Sequence, residues 1–188
     1  MLVEEMGGTL VTVAKDVKFQ VEFNPAYIKG YRLIGYENRA LAAEDFADDK
    51  KDAGEVGAGH TVTALYEIAD KDSAMTFASS ELKYSDGAEN GMENGEYCTV
   101  SVRYKEPDGD ESMLLTYPVS AETDQQEMSG DMRFASAVAA FGMVLRESEY
   151  RGSASIEMVQ DLLGQDDYAN DSYKTEFADL VQEAVFLL

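Results

Sequence analysis

Apolar and polar residues alternate over positions 17–23: Val17, Phe19, Val21 and Phe23 are separated by Lys18, Gln20 and Glu22. A period of two predicts a strand with one buried and one wet face. Upstream, residues 10–14 (LVTVA) form a short β-branched run, and Lys15-Asp16 reads as a turn. Asn24-Pro25 breaks the first strand. Residues 27–36 resume the β pattern, with Tyr31, Leu33 and Gly35 facing one way and Arg32, Ile34 and Tyr36 the other. Asn38 is placed to cap a short helix running through Phe46. Residues 45–59 hold five acids, two lysines and three glycines, and read as an exposed loop. The next strand is predicted over 60–68, with Val62, Ala64, Tyr66 and Ile68 on one face, and a weaker one over 75–84. A turn-rich connection follows at 85–95 (SDGAENGMENG). Residues 97–104 and 113–119 then form a hairpin about the turn Pro107-Asp108-Gly109-Asp110.

The pattern changes after a polar linker at 121–130. Phe134, Val138, Phe141 and Leu145 recur at helical spacing among alanines suited to close packing. Gly152-Ser153 ends that helix and offers an N-cap for the next, over 156–163. After a break at 164–170, the last helix carries Tyr173, Phe177, Leu180, Val181, Ala184 and Leu188 on its predicted apolar face. No internal repeat is evident. Strands first and helices last indicate α+β. The expected fold is an antiparallel β-sandwich over residues 17–121 followed by a C-terminal helical lobe, residues 122–188, packed on it.

Composition sharpens this in three ways. A chain of 188 residues, 45% hydrophobic, can bury a real core, so its acidity is not that of a disordered tail. Its net charge of −22 repels phosphates and anionic headgroups, which removes nucleic acid as a partner and favours cations or basic protein patches. Cys98 is the only cysteine, so no intrachain disulfide forms. No apolar run approaches the roughly 20 residues of a transmembrane helix. The start, MLVEEMGG, lacks the basic and apolar regions of a signal peptide and reads as a chain entered partway.

Candidate chemistry is sparse. Asp48, Asp49, Asp52 and Glu55 supply oxygens of the kind Ca²⁺ prefers, but Lys50 breaks the calcium-loop pattern and Lys51 adds a second positive charge. Asp86-Gly87-Ala88-Glu89-Asn90-Gly91 lacks an oxygen at Ala88, and Tyr97 stands where a bidentate glutamate belongs. Asp108-Gly109-Asp110 is explained by its hairpin. His60, the only histidine, sits between the acidic loop and a strand; base catalysis would need a nucleophile and an orienting acid such as Asp52 or Glu55 beside it. Cys98 on a β run reads as a small apolar residue. No phosphate loop, G-x-S-x-G, H-E-x-x-H or C-x-x-C occurs. Tyrosines Tyr27, Tyr31, Tyr36, Tyr66, Tyr84, Tyr97 and Tyr104 fall on β segments, where sheet packing is their default role and an exposed cluster would mark a binding face.

Long phrases (EEMGGTLVTVAKDVKFQVEFNP, YRLIGYENRALAAEDF, DDKKDAGEVGAGHTVTALYEI, VRYKEPDGDES and FASAVAAFGMVLRES) resemble bacterial von Willebrand factor type A (VWA) domain-containing proteins. The likeness is to their C-terminal domain of unknown function. It implies that residues 1–16 are the remnant of a preceding VWA domain, whose adhesion site would lie upstream, since no Asp-x-Ser-x-Ser motif occurs here. It also implies an extracytoplasmic or cell-envelope setting, although this chain carries no targeting signal. Residues and resemblance together give the expectation of a non-catalytic support or protein-interaction module, binding a protein partner and the adjoining VWA domain. No catalytic, cofactor or metal residue is assigned, and no membrane insertion is expected. The alternative is a cation-binding regulatory module or hydrolase using His60 and nearby acids.

Overall fold

The alternation around Phe19 extends further than its apolar residues alone indicate. In the computed structural model, which describes residues 11–35, 43–48, 51, 53–74, 91–120, 122 and 127–186, strand β1 runs unbroken over Thr12–Phe23. The expected turn at Lys15-Asp16 is a β-bulge: the register with β5 shifts between Lys15 and Lys18. Asp16 adopts φ 53°, a left-handed conformation that Asp tolerates better than most residues. Its carboxylate takes an ion pair from Lys105 Nζ at 2.7 Å, which fixes the bulge to the neighbouring strand.

Six described strands build the first unit: β1, β2 (Ile28–Ile34), β3 (Gly54–Gly57), β4 (Leu65–Asp70), β5 (Glu96–Lys105) and β6 (Ser112–Ser120). A short helix α1 (Ala43–Ala47) lies between β2 and β3. All pairings are antiparallel. The strands form a four-stranded sheet in the order β3-β1-β5-β6 and a separate ribbon, β2-β4. This corrects the expected sandwich: the fold is α+β with antiparallel sheets, but the sheets are open. Two local readings change with it. The acidic segment is not all loop, because β3 within it pairs with β1. Residues 60–64 lie outside the strand predicted there, which begins at Leu65. The strand expected over 75–84 falls outside the described residues.

Chain reversal before the ribbon depends on Asn24. Its Nδ2 donates to Met92 O at 2.7 Å and Glu96 O at 2.8 Å, and its Oδ1 accepts from Ala26 N–H at 3.0 Å. Gly91 crosses this turn so closely that an added Cβ would stand 2.7 Å from Ala26 Cβ, well inside contact distance. Phe23, the last residue of β1, meets Tyr31 (4.3 Å between ring centroids) and Tyr66 (5.4 Å) from the ribbon. These rings give the ribbon its packing partner.

The chain divides into two compact units, Met1–Asp124 and Gln125–Leu188. The second holds α2 (Gly130–Leu145), α3 (Ile156–Leu163) and α4 (Ser172–Ala184). Each begins with a side-chain cap that satisfies a backbone donor of the first turn: Ser129 for Met132 N–H, Ser155 for Met158 N–H and Asp171 for Lys174 N–H. The cap of α3 is therefore Ser155, not Ser153. Ala137, Ala140 and Phe141 pack with Val159, Leu163 and Val181 in the buried core. Phe134, Tyr168 and Phe177 close its flank through edge-to-face contacts at 5.4–5.5 Å. Val138, Leu145, Tyr173 and Leu180, expected inside, are exposed. The alanines bring α2 close enough to α3 that the larger side chains beside them turn outward.

Candidate functional site

Register and alternation assign the faces of the four-stranded sheet. Phe19 lies opposite Val102, and Val102 opposite Leu115; Val21 lies opposite Val100, and Val100 opposite Tyr117. Successive side chains alternate sides, so these residues share one apolar face with Phe23 and Cys98. At its Phe23 end the face is covered by Tyr31 and Tyr66. Elsewhere it is open: Phe19 is 57% exposed, Leu115 41% and Tyr117 54%. Scattered surface apolar residues need no explanation; here Phe19, Leu115 and Tyr117 stand on one sheet face.

The opposite face is covered around Lys18 by a different device. Lys18, 2% exposed, sends its Nζ under α1, where it donates to the carbonyl oxygens of Asp45 (3.2 Å) and Asp48 (2.5 Å). A buried ammonium is tolerable only with such partners, and these carbonyls stand at the helix C-terminus, where the macrodipole favours a cation. Arg103 adds its guanidinium over the Phe46 ring at 5.7 Å. The start of the acidic segment is thus anchored on the sheet from below.

This placement answers the candidate chemistry. Asp48 uses its carbonyl to receive Lys18, while Lys51 pairs with Asp45 at 3.2 Å. Glu55, on β3, accepts from Thr12 Oγ1 at 3.4 Å. Asp49, Lys50, Asp52 and residues 86–90 lie outside the described residues. His60 is exposed, and its backbone N–H donates to Gly57 O at 3.1 Å. Among the described residues, no three of His, Cys, Asp and Glu converge where a metal ion could be held. Burial pushes the Cys98 thiol above its usual range, which disfavours the thiolate. Burial, followed by the Tyr31 and Cys98 charges, likewise raises the Tyr66 hydroxyl. Asp108 and Asp110 flank the β5–β6 turn, and Asp110 approaches Lys15 at 3.8 Å.

Tyrosine divides into two uses. Tyr27 packs edge-on against Tyr97 at 5.6 Å, and Tyr31 against Tyr66 at 6.4 Å, the sheet role expected of them. The tyrosine of the open face is Tyr117, absent from the expected set. Its signal was its place in the alternation Met113, Leu115, Tyr117 on β6. Tyr36 and Tyr84 lie outside the described residues.

A second feature is polar and belongs to the helical unit. A shallow cleft of about 360 Å³ lies between the N-terminal ends of α2 and α4, lined by Ser129, Asp131, Asp166, Tyr168, Asp171 and Lys174 among others. Beside it Arg133 makes a two-pronged pair with Asp166, Nε–Oδ2 2.7 Å and NH2–Oδ1 2.8 Å, and donates to Met128 O at 2.5 Å. The hydrogen bond from Arg133 holds the Asp166 carboxyl below its usual range. Lys174 pairs with Asp131 at 2.8 Å and lies over the Phe134 ring at 5.2 Å. The cleft's cations are thus engaged by its own carboxylates, an arrangement that joins helices.

Among the described residues these features define an α+β module: an open antiparallel sheet unit with an apolar face that none of them covers away from Phe23, and a self-capped three-helix unit. The chain belongs to the family described as "Uncharacterized protein YfbK, C-terminal", whose sequence profile matches residues 8–187. It is similar to the uncharacterized protein YfbK of Escherichia coli (strain K12), 39% identical over 194 residues that cover 98% of this chain and 32% of that protein. The chain therefore spans about a third of the length of this relative. No solved structure matches it significantly.

Proposed function

We propose that this chain is a non-catalytic support and protein-interaction module, working beside a VWA domain in a bacterial envelope-type polypeptide. The observation that carries this reading is the apolar sheet face with Phe19, Leu115 and Tyr117 open to solvent. Those side chains leave water only when another surface covers them, and each fully buried ring or branched chain contributes roughly 1.5–3 kcal/mol. The adjoining VWA domain is supported by the phrases that resemble such proteins and by the threefold greater length of the relative. The acidic surface fits a partner with basic residues around an apolar centre.

The test is binding of a separately produced VWA domain to residues 1–188, followed by crosslinking. Phe19→Asp with Tyr117→Asp is expected to abolish capture while leaving the melting temperature unchanged. Undiminished capture by the folded double variant would remove the sheet face from the account.

A further inference from the structure

Strand β6 is unlike an edge strand that avoids pairing. It runs nine residues, SMLLTYPVS, without a charge, and residues 113–118 are exposed on both faces. Leu115 and Tyr117 project to the apolar face, and Leu114, 52% exposed, to the other. Among the described residues no strand pairs with its outer side. Natural edges are usually blunted by charges, prolines, bulges or brevity; β6 carries Pro118 and a register shift near its Val119–Ser120 end, but over residues 112–117 it has none of these. Pro118 sits opposite Thr99 where the pairing still keeps the register of residues 112–117, so its missing N–H is assigned to the outward side. Leu114 and Thr116, at even spacing from Pro118, present their backbone groups in that same outward direction.

Charge frames this strand. Exposed Glu106, Asp108, Asp110 and Glu111 stand at the hairpin tip, and exposed Glu122 follows the other end. A second copy would bring these acids, and another −22, against the first. The geometry points to β6 as an acceptor for an added strand: an extended protein segment with alternating apolar residues and basic residues at both ends. The ladder supplies affinity, Leu115 and Tyr117 meet the alternate side chains, and the framing acids select the flanks. This rests on the reading of the module as an interaction protein, and adds a binding mode distinct from covering the sheet face.

A fluorescein-labelled peptide of alternating valine and threonine, with paired lysines at both ends, tests the inference by anisotropy. It is expected to bind and to slow amide exchange across β6, and paired glutamates in place of the lysines should weaken it at least tenfold. Thr116→Pro removes an outward donor without touching the β5 ladder, and is expected to lose the peptide while retaining the fold. Should that variant not fold, methylation of alternate peptide amides removes the ladder from the other side. No binding by the lysine-flanked peptide, equal binding of both flank versions, or unchanged binding after methylation or in folded Thr116→Pro would each overturn the strand-addition mode. Loss of VWA-domain capture in Phe19→Asp alone reads the underlying function separately, since Phe19 lies on β1, two strands from the β6 edge.

Discussion

The helical unit and the strand unit solve the same problem in opposite ways. In the helical unit, three caps satisfy the helix starts, and Phe134, Phe141, Tyr168 and Phe177 enclose small alanines and valines. Its polar cleft is bridged by the Arg133–Asp166 and Lys174–Asp131 pairs. The strand unit spends its specific contacts on one end and one face. Lys18 anchors α1 beneath the sheet, the ribbon covers Phe23, and the remaining apolar face is left open. The helical unit also leaves apolar side chains such as Tyr173 and Leu180 in water, but on the sheet Phe19, Leu115 and Tyr117 share one face that no described element covers. The proposed interaction role rests on the strands.

The contrast can be broken first where burial is greatest. Phe141→Ala should cost about 3–5 kcal/mol, by emptying the ring's place against Phe177 and the core alanines. Chemical denaturation of the variant would check this; a loss below about 1 kcal/mol would mean the helical core is looser than described. Gly91→Ala acts on the strand unit, where the new Cβ meets Ala26, and should cost about 1–3 kcal/mol through overpacking. An unchanged melting temperature would show that the turn has room.

Acidification acting through Asp166 has a smaller effect and reads the helical unit. Asp166 is held below its usual range by Arg133, so its contribution is present above the unfolded carboxyl value of about 3.9 and is lost as pH falls through the lowered folded value. Asp166→Asn should flatten that part of the acid-stability curve, and an unaltered acid limb would contradict the pairing. Smallest of all is Leu115→Thr on the open face, expected within about 0.5 kcal/mol of the parent because the residue is 41% exposed and threonine suits a strand. A large loss would place Leu115 inside a core and end the comparison.

Elements whose hydrophobic period matches their burial were legible in the sequence. β1 from Val17 onward, the β5–β6 hairpin and α3, found at Ile156–Leu163, all follow from alternation or helical spacing. β3 was not legible, because Gly-Glu-Val-Gly carries no periodic apolar signal and owes its strand form to backbone pairing with β1. The bulge at Asp16 was hidden for a related reason: the same dipeptide suits a turn or a bulge, and the Lys105 ion pair across the sheet fixes the bulge. In α2, Val138 and Leu145 have the right spacing but lie on the shoulder of the helix, while Ala137 and Ala140 sit at the contact. The candidate surface was only half readable. Apolar residues on β6 were visible in the alternation, but whether a described element covers them is a tertiary property.

Hydroxyl-radical footprinting of Phe19 and Tyr117 tests the central claim most directly, comparing isolated residues 1–188 with the same protein inside its native cells. The account predicts strong labelling of both rings in isolation and marked protection in cells, with exposed Tyr173 on α4 labelled alike in both. Equal labelling of Phe19 and Tyr117 in the two settings would contradict it.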